Sequence, residues 1–231
     1  MVIDLEKRCA EIRSRIDKAA RKAGRNPEGI ELMAVTKTRE LPELIEAWEV
    51  GLRLFGENRV QEAARKIASW PAERRAQWRL IGNLQRNKAR KALELFSRID
   101  SLDRLELAFD LQRVLSETNR KIDVLIEVNT SGEPSKHGIA PNGLEELLEG
   151  VLQRCPNLTV RGLMTLGPLN ADPGEVAASF SLLRELRDRV SKEFGLEMPE
   201  LSMGMSDDFE IAIEQGSTCV RLGRALFGPR E

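Results

Sequence analysis

A lysine that closes an apolar run is the first residue whose chemistry stands out. Lys37 follows Leu32-Met33-Ala34-Val35 and Thr36. If that run is a buried strand, the amine stands at its C-terminal end, partly desolvated. Loss of solvent favours the neutral amine, and a neutral amine condenses with an aldehyde. A solvated loop lysine is the other reading of this single position. A second group of residues suits an anion: Ser206 in L-S-M-G-M-S-D-D-F, and Gly223-Arg224 in V-R-L-G-R-A. Each opens a short helical pattern, where backbone N–H groups and a hydroxyl would hold a phosphate. Simple capping accounts for the same residues, since Asp207 and Glu210 have capping-box spacing. Asp207 and Asp208 would repel a phosphate that they faced, so they are expected to point away. Arg221, just ahead of Gly223, is a permanently charged donor.

The elements that must position these residues alternate. Leu5, Cys9, Ile12, Ile16 and Ala19 form a helical stripe, with Asp4 as N-cap and Gly24 and Pro27 at the close. Eight short apolar runs follow, at 30–36, 52–55, 77–81, 97–101, 122–128, 158–164, 201–203 and 219–222. Helical patterns separate them, including 41–49, 60–68, 87–95, 143–153, 175–194 and 208–214. Asp103 and Glu106 have capping-box spacing at the start of another helix. Alternating β and α imply a parallel sheet. Eight repeats in 231 residues fit a single (β/α)8 barrel with an extra N-terminal helix, one domain over 1–231. A doubly wound open sheet is the alternative, but the turn after the first strand, T-K-T-R, has no glycine. In a barrel, function gathers at the C-terminal strand ends. Lys37, Ser206, Arg221 and Gly223 all fall there.

A buried amine, a phosphate nest and an arginine at one mouth match the needs of pyridoxal 5′-phosphate. Its aldehyde needs the lysine, its phosphate the donors and its ring nitrogen a partner, for which Arg221 is placed. An arginine would leave the ring unprotonated and a weak electron sink, which suits storage or undemanding chemistry.

The motifs also carry a resemblance. A-V-T-K (34–37), F-G-E-N-x-V-Q-E (55–62), I-G-x-L-Q-x-N-K (81–88), V-N-T-S-G-E-x-S-K-x-G (128–138), R-G-L-M-T (161–165), L-S-M-G-M-S-x-D-F (201–209) and V-R-L-G-R-A-L-F-G (220–228) resemble the pyridoxal phosphate homeostasis family. The match runs along nearly the whole chain. The resemblance implies a barrel like the N-terminal domain of alanine racemase, with the cofactor on Lys37 as an internal aldimine. It implies phosphate contacts near Ser206 and Gly223-Arg224, and ring contacts near Asn58 and Arg221. It further implies a cofactor carrier or buffer without established turnover, which influences amino-acid and keto-acid pools and meets apo-enzymes transiently. Many relatives have Ser or Thr where this chain has Arg224, so the backbone N–H there is the firmer expectation. Asn83 is assigned no role.

The rival reading is an amino-acid racemase or decarboxylase on the same barrel. Racemisation needs acid/base groups on both ring faces. The sequence has no Tyr and a single His, and it ends soon after the eighth strand. His137 reads as a surface residue, and Lys136 as a solvated lysine. The run Arg86, Lys88, Arg90, Lys91 has no interleaved aromatics and reads as a solvated helix face, not a nucleic-acid reader. A net charge of −1, from 36 basic and 37 acidic residues, gives no global attraction to nucleic acid or membrane. Cys9, Cys155 and Cys219 are widely spaced and suggest neither disulfide nor zinc. With no signal peptide and no apolar run near ~20 residues, a cytoplasmic monomer is expected.

Overall fold

Asp4 accepts the Lys7 N–H at 3.0 Å and so starts the first helix, α1 (Leu5–Lys22), as its residue type dictates. The computed structural model describes residues 4–229. In chain order the repeats are β1 (Glu31–Val35), α2 (Leu41–Glu49), β2 (Leu54–Glu57), α3 (Val60–Ala68), β3 (Gln77–Leu80), α4 (Ala89–Leu95), β4 (Arg98–Leu102) and α5 (Leu105–Thr118). They continue with β5 (Ile122–Glu127), α6 (Leu144–Arg154), β6 (Leu158–Met164), α7 (Pro173–Phe194), β7 (Glu200–Ser202), α8 (Phe209–Glu214), β8 (Cys219–Leu222) and α9 (Arg224–Phe227). The strands pair in sequence order, all parallel, and β8 pairs with β1, closing the barrel.

Strand parity divides the side chains. In β1, Ala34 packs outward into the main core under the helices, while Met33 packs inward with Leu54, Cys219 and Ile81. The outer layer is large and dry: Phe55, Phe180, Phe209, Leu107 and Leu111 are fully buried there. Each such side chain contributes ~1.5–3 kcal/mol by leaving water. The N-terminal end of the barrel interior is closed by ion pairs. Arg79 meets Glu31 at 2.9 Å, and Arg98 meets Asp100 at 2.6 Å and also pairs with Glu200.

Several boundaries differ from the sequence pattern for identifiable reasons. β2 starts at Leu54, not Leu52, because Gly51 turns at φ +93° and the Leu52 N–H bonds back to Ala47 O. The Asp103/Glu106 capping box does not form. Asp103 instead accepts from Asn83 and from Arg104, and Arg104 takes the N-cap position without a side-chain bond. Asp208, not Asp207, occupies the N-cap position of α8. Among the described residues no helix is long and apolar enough to cross a membrane.

Candidate functional site

Register places the sequence candidates relative to one another. Val35 pairs with Gly56, so Lys37 and Asn58 lie at matching positions just past the ends of β1 and β2. Met33 pairs with Arg221 and Ala34 with Leu222, which sets Gly223 beside Val35. By alternation Val35, Lys37, Gly56, Asn58, Arg221 and Gly223 share the inward face, with Arg221 deeper than Lys37. The barrel mouth therefore gathers the first, second and eighth strand ends around one space, and Lys37 is half-buried at its edge.

Arg221 is 3% exposed. It donates through Nη1 to Ser202 Oγ and through Nη2 to Thr165 O, each at 2.7 Å. Its Nε–H has no partner among the described residues. Burial lowers the affinity of this guanidinium for its proton, and the nearby Asp100, Glu127 and Asp208 oppose that. Asn58 is held by close backbone packing: a Cβ on Gly82 would lie 2.4 Å from Asn58 O. The Asn58 Oδ1 is buried and has no hydrogen bond. Both residues thus keep unused polar valences at inward positions, which an acceptor and a donor on a bound molecule would satisfy.

Ser206 joins the two C-terminal strand ends, since its Oγ accepts the Ala225 N–H at 3.0 Å. Gly223 is the N-cap residue of α9, so Ser206 and the Gly223-Arg224 turn form one cluster. Gly204 fixes the approach: its φ is +96°, and a Cβ there would strike Ala212 and Phe209. Within the protein itself Gly223 leaves room for a side chain. A Cβ there would make ordinary contacts, 3.4 Å to Val35 O, so only a bound group would be crowded. The Arg224 side chain turns away to pair with Asp207 on the surface. That pairing also keeps Asp207 outside, as its charge required, while Asp208 accepts the Met205 N–H.

Lys136 departs from the sequence expectation, and it is not a solvated lysine. Its Nζ donates to Glu133 Oε1 at 2.7 Å and to Gly167 O at 2.6 Å, tying the loop after β5 to the loop after β6. Its side chain is 10% exposed, because that carboxylate and carbonyl cover it. His137 is exposed, with Nδ1 3.1 Å from Asn83 Nδ2. The basic run beyond β3 is a charged surface: Arg86 pairs with Asp110, Arg90 with Glu117 and Lys91 with Glu94.

Residues that sequence reasoning passed over lie beside this mouth and within it. A cleft of about 1040 Å³ opens over the ends of β1 to β3, lined among others by Thr38, Asn58, Glu62, Lys66 and Lys88. Glu127, at the inward end of β5, is 3% exposed, and its Oε2 has no partner. Burial, with a smaller contribution from Asp103, pushes its carboxyl up to about 7 against the opposing pull of Arg221. The signal for Glu127 was an acid closing the apolar run V-L-I-E at an inward position.

A closed parallel barrel with an N-terminal flanking helix and this mouth defines the class. The alanine racemase N-terminal domain family matches residues 8–231. An alanine racemase from Clostridium difficile 630 superposes with a TM-score of 0.73 at 14% identity, over 99% of this chain and 56% of that one, a likeness of fold. The chain belongs, more narrowly, to the pyridoxal phosphate homeostasis protein family. The family member of Aquifex aeolicus is 44% identical over 97% of both chains, and that of Vibrio cholerae is 41% identical over 95% and 94%. PipY of Synechococcus elongatus PCC7942, in a structure described as having PLP bound, has a TM-score of 0.85 at 34% identity. That superposition covers 97% of this chain and 100% of PipY.

Proposed function

We propose that this chain, acting as one domain over 1–231, binds pyridoxal 5′-phosphate at the barrel mouth and serves its intracellular homeostasis as a carrier and buffer. The observation that carries the reading is Arg221, a buried arginine whose Nε–H has no partner among the described residues, below the level of a strand-end lysine. The relatives' names and the PLP-bound PipY support it. The residues present fit the group. Lys37 would take the aldehyde, and the Ser206 hydroxyl with the Gly223-Arg224 backbone would hold the phosphate. Asn58 and Arg221 would face the ring. When bound, the cofactor supplies an aldehyde that couples to amines and a ring that withdraws electrons.

The protein's own contribution is binding and orientation. Arg221 is locked by Ser202 and Thr165, so its remaining donor is pre-aimed and meets an acceptor without reorganisation. Because an arginine keeps its proton, it holds an acceptor nitrogen unprotonated and leaves a weak electron sink. That favours keeping the cofactor over transforming substrates with it. Transient docking to apo-enzymes, a monomeric state and a cytoplasmic location belong to the same proposal.

The test mixes loaded protein with an apo-enzyme that needs the cofactor and follows the enzyme's recovery. The carrier reading expects recovery while no α-proton exchange of common amino acids exceeds a Lys37→Ala control. Robust exchange in deuterated water would overturn it.

A further inference from the structure

Lys37 stands between two threonines that are both held from behind the barrel wall. Thr36 and Glu57 face outward, toward α3, as the parity of β1 and β2 requires. Glu62 and Lys66 lie one turn apart on α3. The Lys66 ammonium spends its donors on three oxygens: Thr36 O at 2.6 Å, Glu57 Oε1 at 2.7 Å and Glu62 Oε1 at 2.7 Å. The Thr36 hydroxyl donates to the same Glu57 oxygen at 2.6 Å. On the far side of Lys37, the Thr38 N–H donates to Glu62 Oε1 at 2.5 Å. Glu57 is wholly buried and Lys66 is 9% exposed.

Thr38 has φ +65°, a left-handed conformation that a β-branched residue adopts only under constraint. The Glu62 carboxylate supplies that constraint through a charge-assisted bond, and Lys66 fixes the carboxylate. Burial raises the Glu62 carboxyl's proton affinity, but Lys66 and the Thr38 N–H outweigh it and hold the group ionised. Lys66, with its donors occupied, is no competitor for an aldehyde.

We infer that Lys66, Glu62 and Glu57 form a clamp that sets the backbone of residues 36–38 and thereby aims the Lys37 amine. They are positioning residues for the cofactor, and the inference rests on the reading that Lys37 takes the aldehyde. Without the clamp Thr38 relaxes to a right-handed or extended conformation, and the amine swings away from the mouth.

The test uses Glu62→Ala, because Glu62 is partly exposed at the edge of the network, so the fold is expected to survive its loss. Two readouts are taken. In cofactor-free protein, amide hydrogen exchange at Thr38 should speed up in Glu62→Ala and remain slow in Glu62→Gln, which keeps an acceptor oxygen. In loaded protein, affinity for pyridoxal 5′-phosphate should fall roughly tenfold or more in Glu62→Ala, as for one lost charge-assisted bond. Thr38→Asn in that background should restore much of the affinity, since Asn tolerates the left-handed region. Wild-type affinity in Glu62→Ala overturns the clamp, as does a loss that Thr38→Asn leaves unchanged. If borohydride fixes no cofactor to Lys37 even in the wild type, the functional reading itself has failed, whatever Thr38 does.

Discussion

Glu127→Gln should flatten the fall in stability that the parent protein suffers between mildly acidic and mildly alkaline pH. The parent carboxyl titrates at about 7 in the fold against 4.5 when unperturbed. Between those values the folded state keeps a proton that the unfolded chain has lost. Stability falls with rising pH wherever the native state binds more protons, so the loss begins near 4.5 and is complete above about 7. At ~1.4 kcal/mol for each tenfold change, the whole interval amounts to roughly 3 kcal/mol, most of which falls between pH 5 and 8. The amide in Glu127→Gln would carry no charge at any pH and keep nearly the same shape, and Oε2 has no partner to lose. The assay is urea unfolding of cofactor-free parent and variant across that range, with the difference between them read at each pH. The single His of the chain, His137, is common to both proteins and cancels. Near pH 5 about a quarter of the difference has accrued. By pH 8 the variant should have gained about 2–3 kcal/mol on the parent. Parallel profiles, or a parent that gains on the variant with rising pH, would refute the argument that Glu127 is charged at a desolvation cost.

Three further outcomes follow from the site. Borohydride treatment of loaded protein should fix the cofactor to the Lys37 peptide, and Lys37→Ala should abolish that adduct while leaving thermal stability within about 1 kcal/mol, since the side chain is half-buried and outside the core. Ser206→Ala should weaken pyridoxal 5′-phosphate by ~1.5–3 kcal/mol and unphosphorylated pyridoxal much less; equal weakening would make Ser206 only the acceptor for Ala225. Cys219 is wholly buried and burial pushes its thiol up to about 12, so native protein should resist alkylation there at pH 8, and rapid labelling would show that the barrel interior opens.

Much of the architecture was legible because β and α periods alternate without interruption. Helices 41–49 and 60–68 and strands 158–164 and 219–222 occupy the ranges their patterns predicted. Lys37 was legible for the same reason, as the residue beyond an apolar run. Capping was read less well. Asp103 and Asp207 have capping residue types, yet each is captured by an arginine, one adjacent in sequence and one from the end of the neighbouring strand. Local spacing cannot anticipate a partner brought from another strand. The Glu57–Lys66 contact was hidden likewise, and the Glu62–Lys66 pair, at helical spacing, was passed over.

The two ends of the barrel interior differ in a way that locates the site without any relative. At the N-terminal end Arg79, Arg98, Glu31, Asp100 and Glu200 satisfy one another. At the C-terminal end the inward face keeps Asn58 Oδ1 and Glu127 Oε2 buried and without partners among the described residues. A buried polar group left unpaired costs ~1–3 kcal/mol, and such groups are few in folded proteins. Of the other buried orphans, Glu57 Oε2 lies on the outer side of the wall, where the remainder of its carboxylate is paired, and Arg74 Nη1 lies outside the barrel beside Trp48, where Nη2 pairs with Glu49. The unmet polar atoms of the interior therefore converge on the end where Lys37 stands. A ligand carrying both donor and acceptor groups would recover there the interactions that folding alone leaves unmade, and its binding would be strongest where the protein has already borne the desolvation.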